Sequence, residues 1–435
     1  MKLKIEKLVS DGFGLAHAPD GRVIFIKKTS PGDVVNAEIY KKQKDFAFAK
    51  VEKIISPSCD RILPKCQYFE PCGGCDYQML SSQNQLKYKN EIVAEILHRA
   101  KVDAKPEKII AGSNQELGYR NSIRFIFEID DKNHIHLGRH NYLDERKFVI
   151  VDKCLLASEK VNEIAQAIRD TINESDGEKS SFWQLKIRQG FATNEIMVEI
   201  ITSTENLPVK KELIDELKKF PEIKSIYQTI ASGKSLKHLQ RRLLFGSSLI
   251  HEKIGGFIFQ ISPESFFQTN SLGVKTLYDK IKEFADIKFG DEVVDLFCGT
   301  GSIGIYLSTL AKKVVGVEIV PEAIRDARDN ARLNKISNCE FIIRDSTKWI
   351  KQNINKKIDK IIVDPPRAGL SKDLIFDLCL LNFDLIVYVS CNPATFARDL
   401  KIFESRGVVA TNIQPIDMFP QTHHIEIVSK LTKIK

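Results

Sequence analysis

No stretch of the 435 residues stays apolar and free of charge over the length of about 20 residues that a membrane-spanning helix needs. The opening MKLKIEKLVS carries no apolar signal region, so the chain is expected in the cytoplasm. Internal repeats are missing, which argues against a solenoid or propeller, and there is no low-complexity tract. In a cytoplasmic setting its nine cysteines are not expected to pair as disulfides.

What is present describes a folded protein. Hydrophobic residues make up 43% and charged residues 28%, enough for two or three domains. The formal net charge of +8 is uneven: residues 1–57 hold eleven Lys and Arg against seven Asp and Glu, a net +4 in about an eighth of the chain. That segment reads as short strands separated by turns, a small basic all-β unit of the oligonucleotide-binding kind. Lys27, Lys28, Lys41, Lys42 and Lys44 are its candidate phosphate contacts.

The chain is organised around Leu385 to Asp399, LIVYVSCNPATFARD. An apolar, β-branched run stopped by Asn-Pro predicts a buried parallel strand that delivers Cys391 to the sheet's carboxyl edge, where open α/β sheets bind ligands. A lone cysteine at a strand end is more often core, and three other stretches favour chemistry. EVVDLFCGTGSIG predicts a strand, a glycine-rich turn and a helix start, whose free N–H groups suit a ligand. Its spacing is not that of the dinucleotide fingerprint. About 20 residues on, KVVGVEIV ends in Glu318, placed to accept from ribose hydroxyls. Asp345 closes the next strand, EFIIRDS, and is a candidate acceptor for an adenine amine. KIIVDPPRAGL ends a fourth strand in Asp364, held rigid by two prolines. In QTHHIEIV, Glu426 sits within an apolar strand, either facing solvent on an edge or buried with a raised pKa suited to proton transfer.

Cys66, Cys72 and Cys75 follow one another with spacings of five and two residues, and Cys154 comes later. This pattern reads as a metal site; four thiolates suit zinc or an iron–sulfur cluster, and spacing does not choose between them. Cys59 falls outside the pattern, and Cys298 in the glycine-rich turn reads as packing. Ser82 to Lys101 has helical spacing with one apolar stripe and a solvated face. Residues 119–260 mix strands and helices as a central domain shaping a cleft; Arg120 and Arg124 are candidate RNA contacts there, whereas His134, His136 and His140 do not read as ligands. From about Gly256, strand and helix patterns alternate as in a doubly wound sheet.

The segments DLFCGTGSIG, IIVDPPRAGL, VYVSCNPATFARDL and PQTHHIEIV closely resemble the S-adenosylmethionine-dependent RNA 5-methyluridine methyltransferases, and ISPESFFQTN resembles that family's approach to its catalytic domain. SDGFGLAHAPDGRVIFIKKTSPGD resembles the TRAM domain of RNA-modifying enzymes. The resemblance spans essentially the whole chain. It implies a seven-stranded α/β methyltransferase domain over 256–435, an all-β TRAM barrel over 1–57, and a mixed α/β central domain over 58–255 whose helical part near 82–118 packs on the catalytic domain. It further implies Cys391 as nucleophile, Glu426 as base and Asp364 as orienter. Cofactor contacts carry over to Gln268, Phe297, Glu318, Asp345 and Asp364, with Ser302 standing where some members have asparagine. Phe266 and Phe267 are candidates for stacking on an extruded base. The four cysteines are similar to the [4Fe–4S] site of the ribosomal RNA members, so 23S ribosomal RNA is the expected substrate and transfer RNA the alternative. No obligate protein partner is expected. Two rivals remain: an exocyclic-nitrogen methylase, in which Cys391 would be idle and an aromatic residue would usually stand at Arg367, and a non-catalytic RNA-binding assembly factor.

Overall fold

The computed structural model describes residues 1–175, 179–231 and 239–434, which fall into two compact units. The first comprises residues 1–67, 75–114 and 273–435, and the second residues 68–74 and 115–272.

The first unit begins with a barrel-like six-stranded sheet, ordered Lys2–Lys4, Val34–Lys42, Phe46–Ser56, Val23–Lys27, Phe13–His17, Lys7–Val9. Alternation along these strands turns Ile24, Ile26, Val35, Ala37, Ala47 and Ala49 into the interior. Lys28, expected at the surface as a phosphate contact, is instead 8% exposed and its Nζ donates to the Cys75 carbonyl. Lys27 pairs with Asp76 at 3.3 Å, while Lys41, Lys42 and Lys44 are exposed.

The same unit carries the α/β sheet. Its strands run Cys339–Ile343, Lys313–Glu318, Glu292–Leu296, Lys357–Val363, Asn382–Ser390, Glu426–Lys433, Val408–Asp417 and Ile110–Ala111. The first five are parallel, and Glu426–Lys433 inserts antiparallel beside the Cys391 strand. The seven expected strands are thus joined by an eighth, two residues long, paired to Ile416 and Asp417. Parallel strands covered on both faces explain the unbroken apolar runs, with Val293, Leu296, Ile361 to Val363 and Ile386 to Val389 all buried.

Helix Ser82–Arg99 lies against this sheet with a more polar buried face than one apolar stripe implies, since Gln85 and Lys89 are buried one turn apart. Lys89 Nζ reaches Asp417 at 2.6 Å and the Phe419 carbonyl at 3.2 Å. Truncating one member of such a pair strands the other charge in the core. Lys89→Ala is expected to cost about 3–5 kcal/mol in urea unfolding, and Asp417→Asn with Lys89→Met together much less.

The second unit is built on a seven-stranded sheet ordered Phe148–Ile150, Ile135–His140, Ser122–Ile129, Phe182–Gln189, Ile196–Thr202, Ile223–Ala231, Leu239–Gly246. One face packs Phe125, Leu185, Ile187, Val198 and Ile200 with Ile164 and Ile168 of helix Glu159–Asn173. The opposite face carries Arg124 and Lys186 in register, with Lys186 paired to Glu199 at 3.0 Å and Arg241 to the same carboxylate at 3.1 Å. Burial and the neighbouring Arg188 push the Lys186 ammonium down to about 8.

Candidate active site at the sheet's carboxyl edge

Five adjacent parallel strands end side by side, and each delivers one of the expected side chains. In sheet order these are Asp345, Glu318, Phe297, Asp364 and Cys391. At about 4.8 Å per strand the row is roughly 19 Å long, room for an extended nucleoside-sized ligand beside the thiol.

The Cys391 end is built locally by its own sequence. Ser390 closes the strand, Asn392 caps helix Pro393–Glu404 by accepting from Ala394 N–H at 3.1 Å, and Pro393 takes the first helical position. Cys391 therefore sits between a strand end and a helix N-terminus, half-buried. The Asp364 turn is stitched to the Cys391 turn, because the Arg367 carbonyl accepts from Asn392 Nδ2 and Thr395 Oγ1, both at 3.2 Å. Beneath them Asp399, fully buried, accepts from Leu370 N–H at 2.8 Å and Tyr388 OH at 2.7 Å.

Glu426 is the first residue of its strand, and Ser390 pairs with Ile427, so one step of register sets Glu426 opposite Cys391. The strand is interior rather than an edge, and Glu426 is 5% exposed, which decides between the two sequence readings. Burial, reinforced by Asp364 and offset by Arg367, raises its carboxyl to about 8. Burial alone raises Asp364 to about 7. The Cys391 thiol is pushed up to about 11 by burial, then by Glu426 and Asp364, with Arg367 pulling the other way. Burial thus brings the two carboxyls, but not the thiol, towards neutrality, the range suited to proton transfer.

The turn holding Glu426 is braced from outside the sheet. Gln421 takes a positive φ of 71°; its backbone N–H donates to Oε1 of buried Gln85 at 2.8 Å, and its side-chain Oε1 accepts from Gln85 Nε2 at 3.0 Å. His423 donates its backbone N–H to Asp76 at 3.2 Å and shares a ring-nitrogen bond with it at 2.7 Å. Asp76, whose carboxyl is held low by His423 against its burial, follows directly on the cysteine run.

At the other end, Glu318 Oε1 accepts from Ile319 and Val320 N–H at 2.7 and 3.0 Å, and Oε2 from Gly299 N–H at 3.3 Å. The carboxylate is thus fixed with lone pairs to spare for hydroxyl donors. Asp345 caps helix Ser346–Gln352 through Lys348 N–H at 3.0 Å. Phe297 adopts φ 63°, an uncommon conformation for a bulky residue, so the turn after Leu296 stores strain where a ligand would lie. Gly301 has φ 75°, and a Cβ there would meet the Phe341 ring at 2.7 Å, so only glycine fits. Ser302 Oγ bonds the buried Tyr278 hydroxyl at 2.6 Å. Cys298 is packed, 7% exposed, with its thiol raised well above normal by burial.

The sequence reading missed Asp295. It is fully buried, with one carboxylate oxygen accepting from Gly304 N–H at 3.0 Å and the other without a partner, and burial with Asp364 nearby raises it to about 8. An acid inside the apolar run EVVDL was the available signal. Because the native state holds this proton to higher pH than an unfolded chain, the stability it lends at low pH is lost between about pH 4 and pH 8. Asp295→Asn is expected to raise Tm on the order of 5 °C at pH 9 and to change it little at pH 4, read by calorimetry.

Gln268 belongs to the second unit, where its carbonyl accepts from Asn121 Nδ2 at 2.8 Å. Its neighbours divide: Phe266 is 71% exposed, whereas Phe267 packs against the cluster of Met197, Tyr227, Ile250 and Ile261. The four cysteines expected as metal ligands, Cys66, Cys72, Cys75 and Cys154, are half-buried and form no disulfide. Among the described residues no three His, Cys, Asp or Glu side chains come together to hold a metal. Cys66 and Cys75 belong to the first unit, and Cys72 and Cys154 to the second. Gln78 Nε2 lies 3.3 Å from Cys75 Sγ, and Gly74 N–H lies 3.3 Å from Cys72 Sγ.

Comparison with known proteins decides what this arrangement belongs to. The model of the tRNA (uracil-5-)-methyltransferase family matches residues 81–434, and the TRAM domain matches residues 1–51. The chain belongs to the tRNA (uracil-5-)-methyltransferase family. An uncharacterized RNA methyltransferase of Halalkalibacterium halodurans is 36% identical over 99% of this chain and 96% of its own length. Another, from Clostridium acetobutylicum, is 38% identical over 95% and 93%. The solved structure of the Pyrococcus abyssi tRNA (uracil-54, C5)-methyltransferase in complex with S-adenosyl-L-homocysteine is similar throughout, with a TM-score of 0.80, 28% identity and coverage of 99% of this chain and 100% of that one. The protein is thus an RNA methyltransferase of the uracil-5 family, with TRAM strands ahead of its α/β methyltransferase sheet.

Proposed function

We propose that the protein transfers a methyl group from S-adenosylmethionine to carbon 5 of a uridine in RNA through a covalent bond to Cys391. The observation that carries this reading is the register that sets buried Glu426 opposite Cys391, beside Asp364. Carbon 5 of uracil is a weak nucleophile, and covalent catalysis splits the hard step. The half-buried Cys391 thiol gives up its proton to solvent, and the thiolate sulfur adds to carbon 6. The electrons move onto the ring as an enolate, and carbon 5 attacks the sulfonium methyl. Glu426 takes the carbon 5 proton, the ring double bond re-forms, and sulfur leaves as thiolate. Asp364, rigid between Val363 and two prolines, orients the base. Glu318 and Asp345, with Phe297, Ser302 and Gln268, are the residues to hold the cofactor's ribose, adenine and amino-acid parts. The fixed Glu318 carboxylate supports that assignment.

The TRAM strands and the cysteine run favour 23S ribosomal RNA as substrate. Transfer RNA is the second reading, favoured by the full-length likeness to a transfer RNA enzyme. Spacing supports Cys66, Cys72, Cys75 and Cys154 as metal ligands, and the family resemblance favours a [4Fe–4S] cluster, a structural group rather than a source of electrons; iron and sulfide content after anaerobic purification tests it. Labelled S-adenosylmethionine with unmodified 23S and transfer RNA tests the reaction. Carbon 5 labelling of one RNA is the expected result, and labelling of neither sinks the proposal.

A further inference from the structure

The outer surface of the TRAM barrel reverses the usual pattern. Small and aliphatic residues fill the interior, while Phe13, Phe25, Phe46 and Phe48 alternate outward and are only partly covered, with Tyr40 46% exposed beside them. Their rings form one connected strip across four strands. Phe13 to Phe25 is 6.0 Å between centroids, Phe25 to Phe46 5.6 Å, Phe25 to Phe48 5.7 Å, Phe13 to Phe48 5.4 Å and Tyr40 to Phe48 6.4 Å. Register explains the strip, since Phe25 lies opposite Phe48 and Phe48 opposite Lys41. A register shift between Ile39 and Lys41 leaves Tyr40 unpaired, so tyrosine and lysine are presented consecutively at the strip's edge.

Cations frame the rings. Lys41 Nζ lies 5.8 Å from the Phe48 ring centroid and Lys27 Nζ 5.1 Å from that of Phe13. Exposed Lys42 and Lys44 continue the row into the turn before Phe46. A duplex offers its phosphates but no exposed base faces to such rings, whereas an unpaired strand offers both. Rings for bases and ammonium groups for phosphates together match a single strand of RNA.

We propose that this face is a stacking platform for unpaired bases, with Phe25, Phe46, Phe48 and Tyr40 against the bases and Lys41, Lys42 and Lys44 along the backbone. The inference deepens the RNA-methyltransferase reading by giving the barrel its ligand class: single-stranded loop or flank rather than helix. It does not depend on which uridine is methylated.

The test uses the full chain without S-adenosylmethionine, an unstructured fluorescent 12-mer RNA and its duplex, and anisotropy at several salt concentrations. Phe46→Ala and Phe48→Ala are expected to weaken single-strand binding about 10-fold each with an unchanged salt slope. Phe48→Leu, which keeps the apolar bulk, should weaken it comparably. Lys41→Gln with Lys44→Gln should instead flatten the slope by about two contacts. The proposal is overturned if Phe48→Leu binds as wild type, if the duplex competes equally, or if sedimentation shows a wild-type dimer that the phenylalanine variants lose. Methyl transfer by wild type to long RNA, measured in parallel, separates failure of this platform from failure of the proposed reaction.

Discussion

Cys391→Ala is expected to reduce methyl transfer by about 10⁴-fold or more while leaving the fold intact, because it removes the bond-forming atom rather than a supporting contact. The half-buried site tolerates a loss of one sulfur atom, so circular dichroism and Tm should stay close to wild type. Cofactor affinity should also hold, since Glu318 and Asp345 stand on other strands. A nitrogen methylase with the same Asp-Pro-Pro turn would be indifferent to this change. Retained activity would therefore discard the covalent reading. The raised thiol gives a second signature: because thiolate is scarce well below pH 11, single-turnover adduct formation should climb with pH between about 6 and 9, the sign expected when the reactive form is the deprotonated one.

Glu426→Gln is expected to stop the reaction at a different point. Methylation of carbon 5 can proceed, but the proton left there has no base to take it, so elimination of Cys391 stalls. Turnover should fall by about 10²–10⁴-fold. A methylated RNA–protein adduct should accumulate, visible as a shifted band in denaturing gels and absent from Cys391→Ala and from the double variant. Loss of activity without adduct would assign Glu426 to an earlier step. Glu426 is neutral below about pH 8 and must be ionised to accept a proton, so wild-type turnover should rise towards pH 8. Glutamine in its place removes a group that disfavours the native state at high pH, so the variant should gain stability above pH 8 and not at pH 5.

The row at the sheet's carboxyl edge was legible because each of its residues follows or closes an apolar run, and apolar β-branched runs ended by Asn-Pro or Pro-Pro leave few alternatives to strand ends. Asp345, Glu318, Phe297, Asp364 and Cys391 fall in one row for that reason. Glu426 was ambiguous in sequence, since a charge in a strand is compatible with an edge; only the pairing of that strand on both sides settles its burial. The polar side of helix Ser82–Arg99 was misjudged because Gln85 and Lys89 look solvated until partners more than 300 residues away, Gln421 and Asp417, are folded against them. Lys28 misled in the same way, its charge spent on the Cys75 carbonyl. The aromatic strip was invisible for another reason: strand alternation alone does not say which parity faces the interior.

The first unit is assembled from three separated stretches, so Cys391 and Glu426 come from late in the chain and the residues bracing their turn, Asp76 and Gln85, from early in it. During synthesis the barrel has all its strands by residue 56, yet helix Ser82–Arg99 must wait for Asp417 and Gln421. Until then a buried-type lysine and glutamine stand in water, and the gap between the Cys391 strand and strand Val408–Asp417 stays open for the last strand to enter. Nascent chains stopped before Glu426 would therefore be protease-sensitive over residues 82–114 as well as at their growing end. The strand that carries Glu426 thus closes the sheet between two strands that precede it in the chain.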